Sequence, residues 1–74
     1  MYKNIVWNDH GRSHFLKGEF QEAINNYTWP INSDSKDVIA LMGRGEAYYK
    51  LRKYKEALSD YTKILEFTLR IPMF

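Results

Sequence analysis

Gly45-Glu-Ala-Tyr-Tyr-Lys-Leu-Arg-Lys-Tyr-Lys-Glu-Ala-Leu-Ser-Asp-Tyr-Thr-Lys-Ile-Leu65 is the stretch that decides how this chain folds. From Tyr54 onward, Ala57, Leu58, Tyr61, Ile64 and Leu65 recur at steps of three and four, which places them on one stripe of a helix. Ahead of them Leu41, Gly45 and Tyr48 make a second stripe with the same step. Only Leu51, Arg52 and Lys53 separate the two, room for a tight antiparallel turn and nothing longer. The stretch is therefore a helical hairpin, with Gly45 and Ala57 small where its helices approach closely.

A fixed internal period changes the whole fold. A shift of 34 residues, without a gap, lays Ile5 on Ile39, Gly11 on Gly45, Glu22 on Glu56, Ala23 on Ala57, Tyr27 on Tyr61 and Thr28 on Thr62. Trp7 falls on Leu41, Phe15 on Tyr49, Phe20 on Tyr54 and Ile24 on Leu58. The matches fall on the packing stripes, so the repeat is structural.

A 34-residue helix–turn–helix unit with a bulky apolar residue, then Gly, an aromatic, Ala and an aromatic resembles the tetratricopeptide repeat (TPR). The second unit carries the pattern in Leu41, Gly45, Tyr48, Ala57 and Tyr61, and the first in Trp7, Gly11, Ala23 and Tyr27. The resemblance covers about residues 4 to 69. It implies an all-α protein of four helices, two antiparallel hairpins stacked as a short solenoid with no capping helix. The chain reads as one domain over 1–74, with repeat units at 4–37 and 38–71.

Composition agrees with a small soluble helical domain. The chain has 74 residues, 45% hydrophobic and 27% charged, and no cysteine. It is too apolar for disorder and has no run approaching the roughly 20 apolar residues of a membrane span. Met1 to Trp7 lacks the apolar core of a signal peptide, so the cytoplasm is the expected location. The net charge of +2 is uneven: residues 1–37 hold four basic and five acidic side chains, residues 38–74 seven and four. Lys50, Arg52, Lys53 and Lys55 cluster at the second turn. The Lys50–Lys55 turn is an alternative nucleic-acid contact, but no aromatic platform accompanies it, and a solvated turn is the simpler reading.

Taken in order, the first helix should run from about Lys3 to Leu16. His10 and His14 share a face at the spacing of a metal-binding pair, but the metalloprotease Glu is absent, and they fall on Arg44 and Tyr48, which pack within a hairpin. Weak metal binding through His10 and His14 is thus only an alternative, and no metal or cofactor is expected. Gly18 and, by equivalence, Arg52 should be left-handed in the two turns. Pro30 removes the bond from its own nitrogen to Asn26 and should stop or kink the second helix near Thr28, about a turn short of the fourth. Ile31 to Ser35 then becomes a connection, with Asp34, Ser35 or Asp37 as cap. Trp29, beside the break, either anchors an interface or folds over the gap. Helices three and four should span about Asp37–Leu51 and Tyr54–Leu69, with Glu56, Asp60 and Lys63 as ordinary surface pairs.

No enzymatic site is evident: there is no phosphate-cradling glycine loop, no Cys nucleophile and no workable Ser–His–acid set. The resemblance implies a protein- or peptide-binding scaffold whose groove is lined by the first helix of each unit. On this sequence those positions are Ile5, Asn8, Asp9, Arg12, Phe15 and Leu16, then Ile39, Met42, Gly43, Glu46, Tyr49 and Lys50. One subclass clamps a peptide's terminal carboxylate with Lys and Asn; Asn8, Arg12 and Gly43 stand at three of those places, so the clamp is not matched. Two stacked units leave an apolar face beyond the fourth helix: either Ile71, Met73 and Phe74 fold back over it, or it pairs with another molecule, or the chain is a fragment of a longer repeat array; Leu69, Ile71, Met73 and Phe74 are the expected contact for self-association or a larger assembly.

Overall fold

The computed structural model describes the backbone of residues 2–69 and the side chains of residues 6–68. It contains four helices in this range: α1 (Tyr2–Leu16), α2 (Phe20–Ser33), α3 (Val38–Lys50) and α4 (Tyr54–Leu69). α1 pairs with α2 and α3 with α4; the two hairpins meet where α3 packs on α2, and α1 touches α3 along one edge. The result is two stacked helical hairpins. Between them Ala23, Ile24, Tyr27, Ile31, Ala40, Leu41 and Ala47 form the core, with Phe15, Phe20, Tyr48, Ile64 and Phe67 against it.

Both hairpin turns close in the same way. Gly18 N–H donates to Phe15 O at 3.0 Å and Glu19 N–H to His14 O at 2.9 Å; 34 residues on, Arg52 N–H donates to Tyr49 O at 2.9 Å and Lys53 N–H to Tyr48 O at 2.8 Å. This pair of bonds satisfies the last helix carbonyls and requires one left-handed residue. Gly18 (φ 80) and Arg52 (φ 62) take that conformation. An aromatic pair braces each turn, Phe15 against Phe20 at 5.2 Å and Tyr49 against Tyr54 at 5.5 Å between ring centroids.

Pro30 does not end the second helix. α2 runs through it to Ser33 and is 14 residues long against 16 for α4, so the expected loss of a whole turn does not occur. One missing bond costs a helix interior about 3 kcal/mol, and here the packing of the following turn outweighs it. Pro30 is fully buried, Ile31 beyond it lies in the core, and Pro30 O accepts Asp34 N–H at 2.8 Å. Ile31 to Ser33 are thus helix, and the connection is 34–37. There Asp34 Oδ1 accepts Lys36 N–H, and Asp37 caps α3 by accepting Ala40 N–H at 3.1 Å.

Asp60 also departs from expectation. It is only 2% exposed and belongs to no surface pair with Glu56 or Lys63. Arg44 Nε donates to its Oδ2 at 2.9 Å and Arg44 Nη2 to its Oδ1 at 2.8 Å, a two-pronged bond across the α3–α4 hairpin. The guanidinium also lies over the Tyr48 ring and donates from Nη1 to Thr28 Oγ1 at 3.4 Å, so it touches both hairpins. Its bonds to Asp60 hold the Arg44 pKa above its ordinary value against the opposing effect of burial.

Candidate functional site

The side-by-side placement of α1 and α3 opens a concave cleft on the face away from α4. Its larger chamber, about 370 Å³, is walled by Arg12, Phe15 and Leu16 from α1 and by Val38, Ile39, Met42, Gly43 and Glu46 from α3. A smaller chamber of about 260 Å³ shares Arg12 and Ile39 and adds Asn8 and Asp9. Tyr27 of α2 is common to both and forms the floor.

Two glycines place that floor. A Cβ built at Gly11 would lie 2.8 Å from Tyr27 Cε1, and one built at Gly43 would lie 2.6 Å from Cε2 and 2.7 Å from Cε1. Neither approach is open to a residue with a side chain, so the ring rises between α1 and α3 only because both positions are bare. Burial pushes the Tyr27 phenol above its ordinary value of 10.0; Glu46 adds to the rise and Arg12 opposes it. The phenol is therefore neutral, with one charge of each sign near it.

The polar end of the cleft is partly used up internally. Asn8 Nδ2 donates to Asp37 Oδ2 at 3.3 Å, which ties α1 to the cap of α3. Asn8 Oδ1 is buried and without a partner among the described residues. Leu16, Ile39 and Met42 are exposed along the walls.

A sequence model of the tetratricopeptide repeat matches residues 38–67, which are the α3–α4 hairpin. Human RNA polymerase II-associated protein 3 is 35% identical over 58 residues, 78% of this chain and 9% of that protein. The α3–α4 hairpin is a tetratricopeptide repeat. Hsp70-Hsp90 organizing protein 1 of Arabidopsis thaliana is 32% identical over 56 residues, 76% of this chain and 10% of its own length. The chain thus spans about a tenth of the length of the curated relatives it matches.

Of the groove positions expected from the tetratricopeptide pattern, the structure brings together Asn8, Asp9, Arg12, Phe15, Leu16, Ile39, Met42, Gly43 and Glu46. Tyr49 packs instead on Tyr54 at the turn, and Lys50 is exposed at the end of α3 without lining either chamber. The side chains of Ile5 and Leu69, and Ile71, Met73 and Phe74 altogether, lie outside the described residues. Tyr27 and Val38 were not anticipated as lining residues. Val38 is legible as the neighbour of Ile39 on the first turn of α3, and the repeat pattern marks Tyr27 as a packing residue, although its ring also lines the cleft.

The alternative sites are placed as follows. His14 Nδ1 lies 2.7 Å from Glu19 Oε1, a contact that holds the Glu19 carboxyl below its ordinary value, while His10 stands edge-on to Trp7 at 5.9 Å. Among the described residues no three His, Cys, Asp or Glu side chains gather as a metal ion requires. Lys50, Arg52, Lys53 and Lys55 are all exposed around the second turn. No described helix is long and apolar enough to cross a membrane.

Proposed function

We propose that the chain is a protein-interaction module and that an apolar segment of a partner docks in the cleft between α1 and α3. The observation that carries this reading is the cleft itself. Exposed Leu16, Ile39 and Met42 stand around a rigid floor made by Tyr27 between two glycines, within the few hundred Å³ typical of a binding pocket. The tetratricopeptide repeat in the second hairpin favours a scaffold role, and so does a relative named for organising Hsp70 and Hsp90. The polar positions favour an apolar anchor over a terminal carboxylate: Asn8 Nδ2 donates to Asp37, Gly43 has no side chain, and only Arg12 remains as a cation. So small a contact supports micromolar or weaker affinity.

Selection of a displayed random-peptide library on the 74-residue chain tests the reading, with a folded Ile39→Glu, Met42→Glu variant as the comparison. Peptides with one or two apolar anchors should be enriched on the wild type and lost on the variant. Equal recovery on both proteins overturns the cleft assignment.

A further inference from the structure

Both hairpin turns close with the same hydrogen bonds, a left-handed residue and an aromatic pair, so the first turn shows what the fold requires of the second. It requires little charge. Between Phe15 and Phe20 stand one cation, Lys17, and one acid, Glu19, which His14 engages. Between Tyr49 and Tyr54 stand Lys50, Arg52 and Lys53, with Lys55 following and no acid among them. All four cations are exposed, and none joins an ion pair among the described residues. Like charges so close repel one another, and Arg52 holds a left-handed conformation that suits Gly18 better. Neither cost is imposed by the turn.

The aromatic pairs differ as well. Phe15 and Phe20 are half-buried against the core, whereas Tyr49 and Tyr54 are 58% and 56% exposed, with their rings inclined at 62°. In the sequence no aromatic platform accompanies the basic cluster, and here the structure corrects the reading. The short turn brings α4 back on α3, so side chains five positions apart meet and stand exposed among the cations.

We propose that this tip, formed by Tyr49, Lys50, Arg52, Lys53, Tyr54 and Lys55, binds single-stranded nucleic acid, with a base stacked on an exposed tyrosine ring and the cations on neighbouring phosphates. An unpaired strand uses both properties of the tip, because each nucleotide carries a flat ring and a charge. In a duplex the bases are already stacked, and freeing one has a cost. An acidic peptide matches the charges and leaves the rings unused. For an anionic membrane the tip offers one aliphatic side chain to insert, Leu51, which is only partly exposed. None of the six residues lines either chamber of the cleft, so the site is separate from the docking proposed there.

The test is fluorescence anisotropy of a labelled twelve-nucleotide oligouridylate, and of the matching oligothymidylate, titrated with the 74-residue chain. Either strand should bind, and log affinity should fall against log salt with a slope of about −2 to −3, as for three or four contacted phosphates. Lys53→Gln with Lys55→Gln should flatten that slope by about 1 and weaken binding about fivefold or more at low salt. Lys17→Gln with Lys36→Gln makes the same change in net charge elsewhere and should bind as the wild type does. At least one of Tyr49→Leu and Tyr54→Leu should weaken binding about fivefold or more and leave the slope unchanged. Circular dichroism first establishes that each variant keeps the wild-type fold. Stacking is also read on the wild type alone, where the uracil H5 and H6 resonances should move upfield on binding. No binding at low salt up to about millimolar chain overturns the proposal. So do equal losses from the two lysine pairs, unchanged binding in both tyrosine variants, or an absent upfield shift. Equal or tighter binding of a duplex of the same length, of polyglutamate or of phosphatidylserine vesicles overturns it too, since the tip would then be a contact for polyanions, acidic peptides or membranes.

Discussion

Arg44 and Asp60 are the residues on which the α3–α4 hairpin depends most sharply. Removing one partner of a buried charge pair leaves the other uncompensated, at about 3–5 kcal/mol, so Asp60→Ala should destabilise the chain by that order in urea titration. The pair was hidden from spacing arguments along one helix, because its members are 16 residues apart and Asp60 has charged neighbours at three and four. A signal did exist in the repeat: the shift by 34 sets Arg44 on His10 and Asp60 on Asn26, so the Arg–Asp couple of one unit is a His–Asn couple in the other. The tyrosines give a second expectation at this scale. Tyr27 and Tyr61 are both raised above 10.0, first by burial and then by Glu46. The folded state therefore holds their protons more tightly than the unfolded chain, and their contribution is complete below about pH 10 and lost as pH rises through the folded values. Urea midpoints should fall between about pH 9 and about pH 11, and Tyr27→Phe should flatten that fall.

The helices and turns were mostly legible, and the exceptions share a cause. Hairpin boundaries followed from period and from Gly18, because a turn of three residues leaves few solutions. Pro30 departs from its local rule because burial of Pro30 and Ile31 is not a local property. The same contrast separates the two left-handed residues. Gly18→Ala meets no atom within 4 Å, so its cost is backbone strain alone, about 1 kcal/mol by thermal denaturation. Arg52→Gly removes a similar strain but frees the unfolded chain, and its net effect should stay under about 0.5 kcal/mol. A clear gain from Arg52→Gly would mean that the strain at φ 62 is larger than the left-handed region normally carries.

Across the whole molecule the repeat is symmetric in sequence and asymmetric in burial. Ile24→Ala should cost about 2–4 kcal/mol and Leu58→Ala under about 0.5 kcal/mol, although the positions are equivalents; chemical denaturation of both variants checks this. The expected packing stripe of α4 was accordingly only half right: Ala57 is buried and Tyr61 and Ile64 partly so, whereas Leu58 and Leu65 face out. No pattern within one repeat distinguishes a covered stripe from an uncovered one, because the covering helix belongs to the next unit. The groove was legible for a related reason, since its walls come from equivalent faces of two helices in the same chain. The indole rings of Trp7 and Trp29 stack across α1 and α2 at 5.9 Å, with Trp29 still 58% exposed. They are the only two tryptophans in the sequence, and both belong to the first unit. Their fluorescence is thus a private reporter on one hairpin, while the far-ultraviolet helix signal is the sum over both. If the two read-outs melt together, the stack behaves as one cooperative unit; if the indoles report first, the hairpin with the His10–Asn26 couple and the buried proline is the one that opens.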